Sequence, residues 1–312
     1  YYMSDPNNIS ETKDAVYTDT ITTPGQGEQA DPENEITVAV AIQGYEGSFH
    51  QVAAQHFFGK KTRVICCATF GEVVKKALNK KESDGGVMAI ENSIAGSILP
   101  NYNLLQKSKL KVVGEIYLQI RQNLLVNPGI QLADIKEVHS HPMAIQQCLE
   151  YLDQYNWKLV ETEDTALSAK HIHQHKSKHV AAIASTLAAE LYNLNVLAPD
   201  IHTLTNNYTR FLILQHEDLA EIIENADKAS VSFHTDHSKG SLAKVLSTIA
   251  EGGINLSKLQ SSPIPGSDFR YSFHADMEFD SLHQFYQVIK EMKSLTEDVK
   301  IYGVYRKGKH YT

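Results

Sequence analysis

The clearest regularity along the chain is Phe269, Tyr271, Phe273, Ala275 and Met277, aromatic or apolar at every second position with polar residues between them. That period predicts a β-strand with one face against a core. Two amphipathic helices flank it. Leu242, Val245, Leu246, Ile249 and Ala250 share one helical face that ends at Gly252-Gly253, and Leu282, Phe285, Tyr286, Ile289 and Met292 repeat the pattern. With Val231-Ser232-Phe233 as a strand before them and Val299, Ile301 and Val304 after, the order is βαββαβ, the ferredoxin-like split βαβ arrangement. The polar stretch from Glu217 to Asp227 separates it from what precedes.

Upstream the pattern changes to short apolar runs, each followed by a helical segment. Val38, Val40 and Ile42 lead to a helix from Gln51 to Phe58; Arg63 to Cys67 leads to one from Phe70 to Asn79; Val87 to Ile90 precedes Asn101 to Lys107. Residues 112 to 126 are strand-rich and close on Asn127-Pro128-Gly129. Further strands at Val138, Lys158 to Glu161 and Val180 to Ala184 each feed another helix. Alternating β and α elements give an α/β class with parallel sheets. Because the units over 118–190 sit between an earlier and a later group, two lobes with a cleft between them are expected over 36–216. A linker follows over 217–227, then the second domain over 228–312.

Polar residues collect where these strands stop. Gly44-Tyr45-Glu46-Gly47-Ser48-Phe49-His50 is a glycine turn into a helix start, an anion-binding corner, although a plain βα turn reads the same way. Asn92 and Ser93 end a buried strand, as ligand residues at a switch point would or as caps of the next helix would. Ser140-His141-Pro142 and Asp164-Thr165-Ala166 repeat the strand, hydroxyl, helix order. Asn206-Asn207-Tyr208-Thr209-Arg210-Phe211 puts a hydroxyl, a permanent cation and an aromatic ring at the mouth of the strand Leu212-Ile213-Leu214. Helix N-termini converging on one cleft suit a small anionic ligand.

Charge and composition narrow the partners. Of the net −8, residues 1–35 hold eight acids and Lys13, which is −7, leaving −1 for the rest. A near-neutral folded part has no single-sign field for nucleic acid or anionic lipid. The leader itself has no apolar periodicity and is expected to be disordered. Three cysteines, two of them neighbours at Cys66-Cys67, suit reduced thiols and a cytoplasmic protein. No apolar run long enough to span a bilayer is present. His171, His175 and His179 share a helical face, but lysines surround them, so a solvated helix end is expected rather than a metal site.

Taken together, Gly44 to Ala53, Ile90-Glu91-Asn92-Ser93 with Gly96, Ser140-His141-Pro142 with Gln147-Cys148, Thr165-Ala166 and Thr209-Arg210-Phe211 resemble the prephenate dehydratases, with an ACT regulatory domain behind. The resemblance covers Val38 to Leu214 and Lys228 to Arg306. It implies a two-lobed, periplasmic-binding-protein-like (type II) catalytic domain followed by a ferredoxin-like βαββαβ ACT domain. It also implies that prephenate is converted to phenylpyruvate, CO2 and water in phenylalanine biosynthesis, with no cofactor or metal. Thr209, Asn92, Ser140 and Gln147 match catalytic positions; Ser93, Thr165, Arg210, Phe211, Ser48 and Gly44 match substrate-binding ones. L-phenylalanine is implied as an allosteric effector of a homodimer or homotetramer, held near Gly240, Ser241, Leu242, Ala243 and Asn255 and near Gln260, Ser261, Ser262 and Pro263. The chain departs from the family pattern at Tyr45, Ser48 and His50, at Gln122 and Thr203, and at Gln260-Ser261-Ser262-Pro263, which lacks the usual Glu and Arg.

For the chemistry, Thr209 is expected to hydrogen-bond the departing hydroxyl and Arg210 to grip a substrate carboxylate, with Glu91 as the rival general acid. Arogenate dehydration, or amino-acid sensing without catalysis, are the alternative functions.

Overall fold

A computed structural model describes residues 37–312 except 222, 237, 265, 268 and 269. The acidic leader and Phe269 therefore lie outside the described residues.

The first lobe starts with β1 (Ala39–Gln43), α1 (Phe49–Phe58), β2 (Arg63–Cys67), α2 (Phe70–Ala77) and β3 (Gly85–Asn92). It continues through the short β4 (Gly96–Ser97), α3 (Leu99–Lys107) and β5 (Leu110–Gln119). β1 and most of β3 are buried on both faces, as their unbroken apolar runs require. The second lobe comprises β6 (Asn123–Val126), β7 (Glu137–Ser140), α4 (Pro142–Gln147), α5 (Leu149–Leu152), β8 (Lys158–Glu161), α6 (Thr165–Gln174), β9 (Val180–Ala184), α7 (Thr186–Leu191) and β10 (Asn195–Ala198). Its sheet, in the order β10-β6-β9-β7-β8, runs through Ala198, past the expected end at 190.

The chain then returns to the first lobe as β11 (Tyr208–His216), which enters antiparallel between β3 and β5. The two crossings between lobes, at Ile120–Gln122 and before Tyr208, make the two-lobed periplasmic-binding-protein-like architecture.

Beyond the connection come β12 (Lys228–His234), α8 (Ser241–Glu251), β13 (Asn255–Pro263), β14 (Tyr271–Glu278), α9 (Leu282–Leu295) and β15 (Asp298–Tyr305). This is the expected βαββαβ unit, its strands ordered β13-β14-β12-β15. One face of its sheet is apolar: Val231, Phe233, Ala275 and Met277 pack on Phe285, Ile289 and Met292 of α9. The other face is polar yet buried, with Lys228, Ser230, Ser232, His274 and Asp276 covered by the first lobe. Tyr302 and Tyr305 on that side join Met88, Leu105, Leu212 and Leu214 in one apolar cluster.

After β15 the chain leaves this unit: β16 (His310–Tyr311) pairs in parallel with β5 in the first lobe. A domain running to 312 is thus corrected, because the last residues extend the first sheet as β16-β5-β11-β3-β1-β2.

Backbone contact between the two units is close. A Cβ built on Gly303 of β15 would stand 1.9 Å from the Val112 carbonyl oxygen of β5. Gly303→Ala must push the sheets apart, and a loss of about 1–3 kcal/mol in urea unfolding is expected; unaltered stability would mean that the contact is not made.

Candidate active site

The site is built where β3 and β11 stop. Thr209 lies directly across from Asn92 in the antiparallel ladder, and the Asn92 side chain is fixed at both ends. Its Oδ1 accepts the backbone N–H groups of Ile94 and Ala95, each at 2.9 Å, which fixes the amide orientation. Its Nδ2 then donates to Asn207 Oδ1 at 2.7 Å and to Thr209 Oγ1 at 3.0 Å. Since Thr209 Oγ1 accepts from Asn92, its own hydrogen is left to point elsewhere.

Thr209 and Phe211 face a cavity of about 280 Å³ between the lobes. The first lobe contributes Ser48, Phe49 and His50 at the start of α1, Asn92 on β3 and both β11 residues. Ile120 and Gln122 come from the crossing between β5 and β6; His141 caps α4 and Gln147 ends it, and Asp164 and Thr165 open α6. The expected residues Ser48, Asn92, Gln147, Thr165, Thr209 and Phe211 are therefore brought to one cavity.

The turn before α1 crosses to the second lobe. Ser185 Oγ donates to the Gly47 carbonyl at 2.6 Å and Tyr192 Oη to the Glu46 carbonyl at 2.7 Å. Gly47, at φ +93°, has Ala188 within 3.0 Å of where a Cβ would stand, so only glycine fits the turn. Gly44 is not in the lining; at φ +97° it backs Asp164, whose Oδ2 lies 2.9 Å from a Cβ built there.

Three further expected site residues are elsewhere. Ser140 is fully buried in the second lobe, donating to the Ile183 carbonyl at 2.7 Å, while the next residue, His141, reaches the cavity as N-cap of α4. Ser93 Oγ donates to the Asn206 carbonyl and accepts Tyr208 N–H, both at 2.9 Å, and so closes the turn beside the site. Arg210 points to the opposite face of the sheet, because successive side chains of a strand alternate. It is 3% exposed there, its Nε donating to Glu115 Oε2 at 2.6 Å and its Nη1 to Asp276. Burial alone would lower its pKa; Asp276, Tyr305 and Glu115 together raise it well above the ordinary guanidinium value. Glu91 also faces that side, paired with Lys258. Neither the cation nor the rival acid expected from the sequence lines the cavity.

Among the described residues that line it there is no lysine or arginine. The titratable groups are His50, His141 and Asp164. His50 sits between Phe70 and Phe211, at ring distances of 5.6 and 4.9 Å, and its Nε2 accepts Ala89 N–H at 3.3 Å. Burial lowers its pKa from 6.5 to about 3. Burial lifts the Asp164 carboxyl above its usual range, although the N–H groups of Leu167 and Ala166 pull the other way. Asp164 and His50 were not singled out from the sequence. Asp164 stood in the stretch that opens the helix, but nothing in the sequence showed its burial or its place in the cavity.

The Ser48 hydroxyl is buried without a partner at the N-terminus of α1, and so is Gln122 Oε1 at the crossing. Gln122 Nε2 donates to Gln147 Oε1 at 3.4 Å, which joins the crossing segment to α4.

The regulatory residues expected further on fall into two groups. Ser241 and Leu242, with Tyr271 and Phe273, line a separate cavity of about 180 Å³. Gln260 to Pro263 lie on the edge strand β13, with Ser262 Oγ 3.1 Å from His274 Nε2. Asn255 Nδ2 donates to Glu278 at 3.4 Å.

Residues 40–219 match the family model described as prephenate dehydratase. An arogenate dehydratase 2 of Petunia hybrida is 34% identical over 281 residues, covering 85% of this chain and 71% of that protein. A bifunctional chorismate mutase/prephenate dehydratase of Enterobacter agglomerans is 31% identical over 271 residues, 85% of this chain and 70% of its own. Among solved structures, the prephenate dehydratase of Arthrobacter aurescens in complex with L-Phe superposes with a TM-score of 0.76 at 26% identity, over 86% of this chain and 90% of that one.

The His50 shift makes a prediction. Below pH 6.5 the unfolded chain takes up a proton that folded His50 refuses until about pH 3, so its contribution to stability is present above 6.5 and lost on acidification. NMR of the ring should show neutral imidazole at about pH 5, and His50→Gln should reduce the loss of stability between about pH 7 and pH 5 by about 1–2 kcal/mol. An imidazolium signal at pH 5 would refute it.

Proposed function

The chain belongs to the prephenate dehydratase family, and on that premise we propose that its cavity removes CO2 and the ring hydroxyl from prephenate together, with Thr209 at the departing oxygen. One observation carries this reading: Thr209 Oγ1 is held as an acceptor by Asn92 and keeps its hydrogen for a ligand in the cavity. The bond from the ring to the carboxylate breaks, and its electron pair enters the ring, which becomes aromatic. The carbon–oxygen bond at the opposite ring position breaks, and the hydroxyl leaves with one proton as water. No electrons pass to an acceptor.

The protein's part is to hold the dianion and assist the hydroxyl. A threonine hydroxyl donates a hydrogen bond but stores no labile proton near neutrality. The carboxyl group lining the cavity is Asp164, and the burial that favours its neutral form suits a proton donor. For the substrate carboxylates, the N-termini of α1 and α6 offer backbone N–H groups, with the unpartnered Ser48 hydroxyl at the first and Thr165 at the second. Phe211, Ile120 and the neutral His50 supply an apolar wall against which loss of charge as CO2 is favoured.

We further propose that the βαββαβ unit is an ACT domain that takes L-phenylalanine and inhibits the reaction in a homodimer or homotetramer. The L-Phe in the Arthrobacter relative and the Ser241–Leu242 cavity support that reading. The unpaired Cys66, Cys67 and Cys148 suit the cytoplasm.

The test is phenylpyruvate formation from prephenate by the full chain, with arogenate and added phenylalanine assayed alongside. Activity on prephenate is expected, falling with phenylalanine; inactivity of folded protein on both substrates would leave a binding protein. Thr209→Val should lower kcat by about 10²-fold or more with little change in KM, and full turnover would remove Thr209 from the mechanism. If Asp164 supplies the proton, kcat must fall as pH rises through its raised pKa, and Asp164→Asn should abolish that alkaline limb. A limb that survives in the variant assigns the proton to another group.

A further inference from the structure

The buried charges behind the cavity have no part in that chemistry, yet they begin one residue from it. Thr209 opposes Asn92 on the cavity side of the β3–β11 ladder, and Arg210 opposes Glu91 on the other side. The register shifts only after these two pairs, so that Phe211 opposes Ala89. The cavity pair and the charge pair are thus two faces of one piece of backbone.

Each of the three Arg210 guanidinium nitrogens has a partner. Nε meets Glu115 Oε2 at 2.6 Å, Nη1 meets Asp276 with Glu91 at 3.6 Å, and Nη2 meets the Tyr305 hydroxyl at 3.1 Å. Asp276 and Tyr305 belong to β14 and β15 of the C-terminal sheet. From the same sheet Lys228 Nζ reaches Glu115 Oε1 at 2.9 Å, and Lys258 pairs with Glu91. Both strands that end in the cavity are therefore gripped from behind by the C-terminal sheet, β11 through Arg210 and β3 through Glu91.

We propose that Arg210 is a positioning residue for Thr209: through Asp276 it fixes the end of β11 to the C-terminal sheet, so the Thr209–Asn92 geometry follows the placement of that sheet. This rests on the assignment of Thr209 to the reaction. A guanidinium with its donors in a planar fork cannot swing without breaking several bonds at once, so β11 is held in rotation as well as in position. The neighbouring Cα atoms are about 3.8 Å apart, and any twist that frees Arg210 turns Thr209 away from Asn92. A misplacement of about 1 Å at a reacting group costs about 10²-fold in rate.

The test uses Asp276→Asn in the full chain, a change of charge at constant shape in a residue that does not line the cavity. The expected result is a kcat about tenfold lower or more, with KM for prephenate within about twofold. The 13C-methyl resonance of Thr209 should shift while that of Thr165, across the cleft, stays. Asp276→Glu should recover most of the kcat. Wild-type kcat together with an unmoved Thr209 methyl in Asp276→Asn overturns the proposal. So does Arg210→Lys raising KM strongly while Asp276→Asn is silent, since Arg210 would then touch substrate. If the wild-type chain has no dehydratase activity, the functional reading fails and the methyl spectrum alone decides this one. Should Asp276→Asn not fold, Arg210→Lys keeps the charge but loses the planar fork, and wild-type kcat with an unmoved Thr209 methyl there overturns the proposal.

Discussion

A buried guanidinium, Arg210, sets the terms on which the rest of the molecule is assembled. Its positive charge lies 3% exposed between two sheets, with Glu115, Asp276 and Glu91 supplying negative charge and Lys228 and Lys258 balancing them. Three cations face three anions, so the cluster is neutral as a whole, as a charge set largely removed from water has to be, with only the Glu91–Lys258 pair partly exposed. Such a cluster adds little stability compared with an apolar interface, but removal of one member leaves an uncompensated charge that costs about 3–5 kcal/mol. The placement of the C-terminal sheet is therefore tightly specified. Its polar face can sit against the first lobe in the register that pairs these charges, and elsewhere it would bury them unpaired.

The same constraint explains why the first sheet has two unlike faces. Val40, Ile42, Val87, Ala89, Phe211 and Ile213 pack toward α1 and the cleft, while Met88, Ile90, Leu212 and Leu214 pack toward the C-terminal unit. Both are apolar in the middle of the sheet. They differ where β3 and β11 end, with amide and hydroxyl on one side and ions on the other. Strand alternation turns neighbours in sequence into residues with separate partners.

This alternation is also where reading the sequence fell short. The α/β class, the two lobes and the βαββαβ order followed from apolar periodicity, which reports burial directly. Thr209 and Asn92 were legible as polar residues where buried strands end, although Asn92 also read as a helix cap and Ser48 as part of a plain βα turn; Gln147, inside a helix, came from the family resemblance alone. Arg210 was read as a substrate cation from its place beside Thr209, although adjacency in a strand predicts opposite faces. Ser140 failed for the same reason, its side chain turned into the second lobe and His141 toward the cleft. Nothing local could have shown that the partners of Arg210 lie on β14 and β15, far along the chain. β10 and β16 were missed because short strands carry too few residues to show a period, and β16 rejoins a sheet begun near the other end of the described chain.

A dianion site walled without lysine or arginine has a physical logic of its own. A cation beside a carboxylate that is about to leave as CO2 would stabilise the charged ground state more than a transition state in which that charge is already passing into the ring. Helix N-termini and neutral hydroxyls hold an anion with fractional charges, fixed in place and spread over several atoms. They can position the substrate without binding its charge so firmly that losing it becomes costly. Burial keeps His50 neutral, which leaves the apolar wall beside Phe211 without a full positive charge. The permanent cation nearest in sequence is kept one pleat away, on the opposite face of the sheet, where its charge is met by Glu115 and Asp276.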